Sequence, residues 1–241
     1  MAIKFEELDF CSTPIGDLSL RRRRMPQFGD LDIYEVKLGE EFLMSSLFHQ
    51  AEEQLATLGL NALNGENLSV VVGGLGLGHT AVSALRDARV DSLIVVEYLE
   101  PVIRWHKNHL LPLGKTLTQD SRCKIVSGDF FALAKNSEIG FNTESPAKKF
   151  DAILLDIDHS PTNLLSQTNK HFYTESGLKE LSKHLNSNGV FALWSDTPDE
   201  GEFEGHLKKV FHSVEVHNIE FDNAINGSKS RNAIYIAKQG S

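Results

Sequence analysis

A glycine-rich segment gives the clearest chemical signal in the sequence. It reads VVVGGLGLGH over residues 70–79, an apolar run followed by closely spaced glycines and a histidine. Such a run is typical of a buried strand, and the residues after it have helical spacing. Glycine tolerates a positive φ and lets a ligand approach the backbone, while a helix N-terminus presents unpaired N–H groups. We therefore predict a ligand-binding loop that contains Gly73, Gly74, Gly76 and Gly78.

The spacing of these glycines, together with a later acid, indicates the class of ligand. A dinucleotide fingerprint, G-x-G-x-x-G, would need a glycine where the chain has His79. The alternate glycines at 74, 76 and 78 are instead similar to the loop that binds the tail of S-adenosylmethionine. Glu97 ends the next predicted strand, where an acid accepts hydrogen bonds from both ribose hydroxyls. The glycine spacing and Glu97 together favour a nucleoside-binding site over a glycine-rich turn that binds no ligand.

A third strand end adds two candidate contacts to the base of the nucleoside. The predicted strand 123–126 is followed by Gly128, Asp129 and Phe130. Asp129 could accept a hydrogen bond from an adenine amino group, while Phe130 or Phe131 flanks the ring. The alternative is that Asp129 caps the helix that begins at position 130, and the two roles are compatible.

Three further carboxylates follow the fourth and fifth predicted strands. Asp156 and Asp158 come after the strand 150–155, and Asp196 comes after the strand 190–193. The carboxyl ends of parallel strands meet at one edge of a sheet, so we expect these acids to converge. A carboxylate cluster raises at least one pKa, and such a group can take the proton from an attacking amine. For Asp158 and Asp196 the alternative is a turn cap.

Aromatic and acidic neighbours extend this predicted centre. We assign Asp156, Asp158 and Tyr173 to catalysis, although Tyr173 could also simply begin a helix. Trp194 and Asp196 are assigned to an acceptor pocket. The acidic residues Asp199, Glu200, Glu202 and Glu204 would add a rim that attracts a cationic acceptor.

Composition limits the function classes. The chain has 241 residues, 41% hydrophobic and 24% charged, which is typical of one globular domain with at most a small appendage. No apolar run reaches the roughly 18 residues that cross a bilayer, and the formal charge of −9 disfavours nucleic acid. Cys11 and Cys123 lie far apart, and His106 and His109 lack a third ligand, so we predict neither a disulfide scaffold nor a metal. A cytoplasmic location is expected.

Alternating strands and helices must position these residues. The predicted strands are 68–72, 92–96, 123–126, 150–155 and 190–193, and the predicted helices are 79–87, 101–111, 130–135, 173–185 and 202–211. This alternation implies right-handed crossovers and a doubly wound parallel sheet. The alternating runs 213–221 and 232–237, joined by a loop with Asn226-Gly227, predict a terminal antiparallel hairpin. An α/β fold with a seven-stranded, mostly parallel sheet ending in that hairpin is a class I methyltransferase-like Rossmann fold.

The first 45 residues have a different pattern. Period-2 stretches at 18–22, 31–38 and 42–44, separated by turn residues, predict a small β appendage. A helix over 45–60, with Ser45 or Ser46 as its cap, would follow. The predicted domains are thus an N-terminal β appendage, 1–45, and a nucleoside-binding domain, 46–241.

Together these motifs resemble the spermidine synthase-like family, the polyamine aminopropyltransferases on a class I methyltransferase fold. The matching features are the glycine loop, Glu97, Gly128-Asp129, the D-x-D-H-S-P segment that begins at Asp156, and Phe172-Tyr173. The resemblance implies that Glu97 binds ribose, that Asp129 binds adenine and that Asp156 activates the amine. It implies decarboxylated S-adenosylmethionine as donor, a small amine as acceptor, and a homodimer that pairs through the N-terminal strands.

The sequence departs from the family pattern in three places. The family loop G-G-G-D-G is GGLGL at 73–77, so Gly76 replaces the acid that helps hold the donor's amino group. The family segment D-S-S-D-P is one residue longer here. Where the family has L-D-G and a downstream glutamine, residues 43–50 read LMSSLFHQ, and Gln50 is the candidate substitute in the acceptor pocket.

Four functions are weighed on these grounds. The first is aminopropyl transfer from decarboxylated S-adenosylmethionine to a cationic amine by in-line displacement. The second is methyl transfer from intact S-adenosylmethionine, which the altered loop and acceptor segment favour. The third is a nucleoside-binding relative without catalysis, and the fourth, disfavoured by the glycine spacing and the hairpin, is an NAD dehydrogenase.

Overall fold

Two β-sheets of different kinds form the framework. The structure is a computed structural model that describes residues 4–29, 31–142, 144–197, 201–223, 225 and 227–241. The first sheet is antiparallel, with its strands in sequence order: β1 (Lys4–Thr13), β2 (Gly16–Arg24), β3 (Asp32–Leu38) and β4 (Glu41–Ser45). No helix among the described residues is long and apolar enough to cross a membrane.

The second sheet has seven strands flanked by helices. Its strands are β5 (Leu68–Gly73), β6 (Val90–Glu97), β7 (Cys123–Ser127), β8 (Phe150–Leu155), β9 (Leu185–Ser195), β10 (Ser213–Asp222) and β11 (Lys229–Lys238). They lie in the order β10-β11-β9-β8-β5-β6-β7, and β11 runs antiparallel to both of its neighbours. The mostly parallel α/β sheet with a terminal hairpin is therefore confirmed, while the loop residue Asn226 lies outside the described residues.

Within the described residues, seven α-helices lie between the strands of the two sheets. They are α1 (Gln50–Asn61), α2 (His79–Arg86), α3 (Glu100–Lys107), α4 (Gly114–Gln119), α5 (Phe130–Lys135), α6 (Glu175–Ser182) and α7 (Glu202–Val210), with 3-10 turns at Pro26–Phe28 and Gln167–Tyr173. In the sheet, β6 lies on one side of β5 and β8 on the other, so the strand order reverses its direction at β5. A ligand crevice forms at such a switch point, beyond the carboxyl ends of the strands.

Side-chain alternation along the strands builds a core on each face of this sheet. Val70 and Val72 of β5 face the cluster that contains Leu55 of α1, whereas Val71 faces the cluster that contains Phe130 of α5. Because β-strand side chains alternate, continuous apolar runs fill both faces, as expected of a covered parallel sheet. Leu18, Leu20 and Val36 of the antiparallel sheet join the first cluster and attach that sheet to the larger one.

Several predicted boundaries were wrong. The sequence analysis missed β1, whose register with β2 shifts between Glu7 and Asp9, so the period-2 pattern is broken. The helix expected over 45–60 begins only at Gln50, because Ser45 ends β4 and its Oγ accepts a bond from the backbone N–H of Leu47. The predicted helix 101–111 ends at Lys107, just before His109 adopts a φ of 56°.

The expected helix 173–185 was also wrong at both ends. A 3-10 turn closes at Tyr173, α6 spans only Glu175–Ser182, and β9 begins at Leu185, five residues before the predicted strand. The division of the chain into domains at residue 45 stays a prediction.

Candidate active site

Two adjoining cavities open at the carboxyl ends of β5, β6 and β8. The larger one has a volume of about 180 Å³. The smaller one, of about 90 Å³, lies beside it. Six residues line both cavities: Leu43, Met44, Gly76, Asp156, Ile157 and Leu165. The cavities are therefore two compartments of one site, and Asp156 carries the ionisable group that they share.

The glycine loop forms the wall between β5 and α2. Gly74 has a φ of 93°, and a Cβ there would lie 2.0 Å from the backbone oxygen of Asp156. Gly76 and Gly78 also have positive φ values, 47° and 95°, which glycine adopts at low cost. Gly74 and Gly76 line the large cavity, and Gly76 and Gly78 line the small one.

Gly73 packs against the aromatic ring of Phe130. It is not in the wall of either cavity, and a Cβ at this position would lie 2.6 Å from the ring of Phe130. Its lack of a side chain therefore lets the aromatic ring pack against β5. The assignment of Gly73 as a ligand contact stays a prediction beside this packing role.

Glu97 lies buried at the floor of the large cavity. Its carboxylate accepts hydrogen bonds from the backbone N–H groups of Leu75 (2.9 Å) and Leu99 (2.8 Å). Burial raises the pKa of Glu97, and these backbone donors oppose the shift. The side chain therefore ties the glycine loop to the end of β6 while it faces the cavity.

The end of β7 supplies the third predicted group. Gly128, Asp129 and Phe130 all line the large cavity, as does Phe131. Asp129 caps α5, because Oδ1 accepts bonds from the backbone N–H groups of Phe131 and Ala132 at 2.9 and 3.2 Å. Capping and cavity exposure thus coexist, as the sequence analysis allowed.

Asp156 stands half-buried at the junction of the two cavities. Its Oδ2 accepts a hydrogen bond from Thr80 Oγ1 at 2.7 Å. Burial raises the pKa of Asp156 to about 6, and the Thr80 bond opposes the shift. A carboxyl group with a pKa near neutrality is suited to exchange a proton at physiological pH.

Glu52 is the principal residue that the sequence analysis missed. It lies in the first turn of α1, lines the small cavity, and has its pKa raised to about 8 by burial and by the charge of Asp156. Helical spacing could have identified it, because Glu52 lies three residues before the buried Leu55 and seven before the buried Gly59. An acid on the core-facing side of a helix is a stronger candidate than one on its exposed side.

Asp158 and Tyr173 lie outside the walls of both cavities. Asp158 accepts bonds from the Leu165 N–H (2.7 Å), from Asn169 Nδ2 (3.0 Å) and from the Tyr173 hydroxyl (2.9 Å). Both side chains are buried, at 2% and 5% exposure. Their role in catalysis stays a prediction; in this structure Asp158 holds Asn169, which does line the large cavity.

The predicted acceptor residues separate in the structure. Trp194 lines the small cavity. Gln50 and Asp196 are not in the wall of either cavity, and their assignment to an acceptor pocket stays a prediction. Gln50 is exposed and its Oε1 accepts from the His49 N–H, while Asp196 Oδ1 accepts from the neighbouring Thr197 hydroxyl at 3.1 Å. Of the predicted acidic rim, Asp199 and Glu200 lie outside the described residues.

His106 supports the glycine loop from behind. It is fully buried, and its Nε2 donates to the backbone oxygen of Gly76 at 2.9 Å. Burial lowers the pKa of His106, and the hydrogen bond to Gly76 opposes the shift. The sequence analysis considered this histidine only as a metal ligand.

One group of described residues is close enough to hold a metal. The ligand atoms of His49, Glu53 and His79 lie within 4.8 Å of one another. The two imidazole rings stack at 4.4 Å with an interplanar angle of 7°. Ring nitrogens coordinate in the plane of the ring, so parallel stacked rings do not point at a common ion. The predicted absence of a metal stays a prediction.

The strand order and the site position define the class of protein: an α/β fold of the class I methyltransferase type. Comparison with known proteins identifies the family within this fold class. A family model for the spermine/spermidine synthase domain matches residues 48–216. The chain belongs to the spermine/spermidine synthase domain family.

A curated relative and two solved structures agree with this assignment. A polyamine aminopropyltransferase from Prochlorococcus marinus (strain MIT 9312) is 24% identical over 140 residues, which cover 58% of this chain but only 44% of that protein. A spermidine synthase solved in complex with the transition state analogue AdoDATO is 20% identical, with a TM-score of 0.74 over 97% of this chain and 74% of that one. Spermidine synthase from Thermotoga maritima gives a TM-score of 0.73 at 19% identity, over 97% and 73% of the two chains.

Proposed function

We propose that this protein transfers an aminopropyl group from decarboxylated S-adenosylmethionine to an amine. The observation that carries the proposal is the position of Asp156, which lines both the nucleoside-sized cavity and the smaller compartment beside it. A displacement reaction needs such a group between its two substrates, within reach of the attacking nitrogen.

The large cavity suits the nucleoside part of the donor. Glu97 would accept bonds from the ribose hydroxyls, while Asp129 would accept from the adenine amino group beside Phe130 or Phe131. The glycine loop would let the sulfur approach the backbone at Gly74 and Gly76.

The charge of the cavity wall favours the decarboxylated donor. Among the described residues, the carboxylates Glu97, Asp129 and Asp156 supply the charge that lines the large cavity. Like charges repel strongly in a partly desolvated site. The carboxylate of intact S-adenosylmethionine would meet this repulsion, whereas the decarboxylated donor carries only positive charge.

The reaction follows from this arrangement. The uncharged nitrogen of the acceptor attacks the arm carbon bonded to sulfur, a new C–N bond forms, and the C–S bond breaks. Its electron pair goes to sulfur, and neutral methylthioadenosine leaves. The proton lost by the acceptor nitrogen passes to Asp156, whose raised pKa suits it to accept and then release that proton.

An Asp156→Asn variant tests the proposal. We expect kcat for methylthioadenosine formation to fall by about 10²- to 10⁴-fold, because the general base is lost. Methylthioadenosine affinity, measured by calorimetry, should change little. Asp91→Asn, at an exposed residue near the start of β6, is the matched control. An unchanged rate in Asp156→Asn would contradict the assignment.

Calorimetry with both nucleotides separates aminopropyl from methyl transfer. Tighter binding of the decarboxylated donor supports the proposal, whereas tighter binding of intact S-adenosylmethionine supports methyl transfer. The homodimer, the cytoplasmic location and the absence of a metal from the reaction remain predictions.

A further inference from the structure

Glu52 and Gly76 face the same small cavity from different elements. Glu52 comes from the first turn of α1, whereas Gly76 belongs to the loop after β5. The family resemblance places an acid at position 76, where this chain has no side chain. The structure thus brings a carboxyl group from a helix to the cavity in which the loop acid is missing.

Thr80 fixes the position of this helix relative to Asp156. Its hydroxyl lies 3.4 Å from the backbone oxygen of Glu52 and donates to Asp156 Oδ2 at 2.7 Å. Ser83, one turn further along α2, donates to the backbone oxygen of Glu53 at 3.0 Å. The first turn of α1 is therefore held against α2, and the Glu52 side chain reaches the cavity from a supported backbone.

The proposed donor has a second positive charge that must be accommodated. Its aminopropyl arm starts at the sulfonium and ends three carbons away in an ammonium group. With the nucleoside in the large cavity and the reacting carbon near Asp156, the arm extends toward the small cavity. An ammonium that leaves water needs a charged or strongly polar partner.

We propose, on the basis of the proposed function, that Glu52 binds the terminal ammonium of the donor's aminopropyl arm. This role leaves Asp156 free to accept the proton from the acceptor amine. It also accounts for the glycine at position 76, because the counter-charge comes from α1 instead of the loop.

The electrostatics of the empty site agree with this role. Burial in the cavity raises the pKa of Glu52, and repulsion between its carboxylate and that of Asp156 raises it further. A bound ammonium relieves that repulsion and stabilises the ionised pair. The cavity is therefore prepared for a cation at this position.

A pair of ligands isolates the interaction. Decarboxylated S-adenosylmethionine carries the arm, whereas 5′-dimethylsulfonio-5′-deoxyadenosine keeps the positive sulfur but lacks the arm. In Glu52→Gln we expect the Kd of the first to rise by about 10- to 100-fold, the range for a charge-assisted hydrogen bond, and that of the second by less than about twofold. Glu53→Gln, the next residue on α1, is the control and should leave both constants unchanged.

Each outcome is decisive for one of the two proposals. Equal losses for both ligands, or no loss for either, overturn the role of Glu52 while the donor site stands. If the wild-type protein binds neither ligand, the proposed function is overturned and this inference with it. Retained binding of the arm-free ligand by Glu52→Gln shows that the variant is folded.

Discussion

The neighbouring carboxyl groups of Glu52 and Asp156 determine how the empty protein responds to pH. Both have raised pKa values, about 8 for Glu52 and about 6 for Asp156. Between the ordinary and the raised pKa the folded state binds more protons than the unfolded state. The free energy of unfolding must therefore fall as pH rises through this interval.

We predict that Glu52→Gln removes part of this pH dependence. Urea denaturation between pH 6.5 and 8 should show the wild-type protein losing up to about 1.4 kcal/mol per pH unit relative to the variant. Burial lowers the pKa of His79 to about 4, so this residue makes the free energy of unfolding rise with pH, but only below the ordinary pKa of 6.5. Glu40→Gln, at a fully exposed side chain, is the control. If the free energy of unfolding changed with pH equally in the wild type and in Glu52→Gln, the prediction would be contradicted.

Some site residues could be predicted from the sequence and others could not. Gly76, Glu97, Asp129 and Asp156 follow strand ends, and strand ends converge by topology alone. Asp158 also follows a strand end, but its side chain turns inward, because the local donors of the segment 165–173 compete for its oxygens. A sequence gives the position of a carboxylate in the chain, whereas its direction depends on which donors lie near it.

At the scale of elements, the loop after β5 and the segment after β8 form a single support. The backbone N–H of Asp156 donates to the Gly73 oxygen at 2.8 Å, and the Gly74 N–H donates to the Val96 oxygen at 2.9 Å. The glycine loop, the end of β6 and Asp156 are therefore linked through the backbone.

We predict that Gly74→Ala destabilises the protein by about 2 kcal/mol or more. Its φ of 93° is unfavourable for alanine, and the new Cβ would lie 2.0 Å from the Asp156 oxygen. Gly128→Ala is the control, because the nearest atom to a Cβ there lies at 3.5 Å and no positive φ is required. Urea denaturation measures both, and equal stabilities would contradict the expected clash.

Asp158 should affect stability more than chemistry. Asp158→Ala leaves two buried donors and one partly buried donor without an acceptor, so we expect a loss of about 2–4 kcal/mol and faster amide exchange over residues 157–169. Tyr173→Phe removes only one of these bonds and should cost about 1 kcal/mol. If Asp158→Ala kept full stability but lost turnover, Asp158 would act directly in catalysis.

Element types could be predicted better than element ends. The apolar runs of β5 and β8 are unambiguous because both faces of these strands are buried. The end of α3 is a local C-cap: His109 has a φ of 56°, and the N–H groups of His109 and Leu110 donate to the backbone oxygens of His106 and Trp105. Because a histidine and not a glycine or asparagine holds the left-handed position, no residue type marks this helix end in the sequence.

At the scale of the whole molecule, the antiparallel sheet covers the site. Ile15, Leu18, Val36 and Met44 come from this sheet and line the large cavity. Outside the core, Asp9 of β1 joins it to α3, because Asp9 Oδ2 accepts bonds from the Trp105 indole N–H at 2.6 Å and from Arg104 at 2.9 Å.

We predict that Asp9→Ala weakens this attachment. The Trp105 N–H hydrogen bond lowers the pKa of Asp9, so its stabilising effect is present above the ordinary value of 3.8 and disappears as pH falls below it. At pH 7 we expect a loss of about 1–3 kcal/mol. Proteolysis within β1–β4 should also become faster. Asp17→Ala, at an exposed residue near the start of β2, is the control, and an equal effect of both variants would contradict the prediction.

The close approach of Gly74 to the Asp156 backbone has a consequence for how such a site diversifies. The wall of the large cavity around Glu97 and Asp156 is built from one tightly bonded set of strand ends, which tolerates little variation. The start of α1 and the strand β4 also enclose the second compartment, and they contact that set mainly through side chains. Different ligands of the second compartment can therefore be accommodated, in evolution or by engineering, through changes in α1 and β4. The set of strand ends is preserved in such changes.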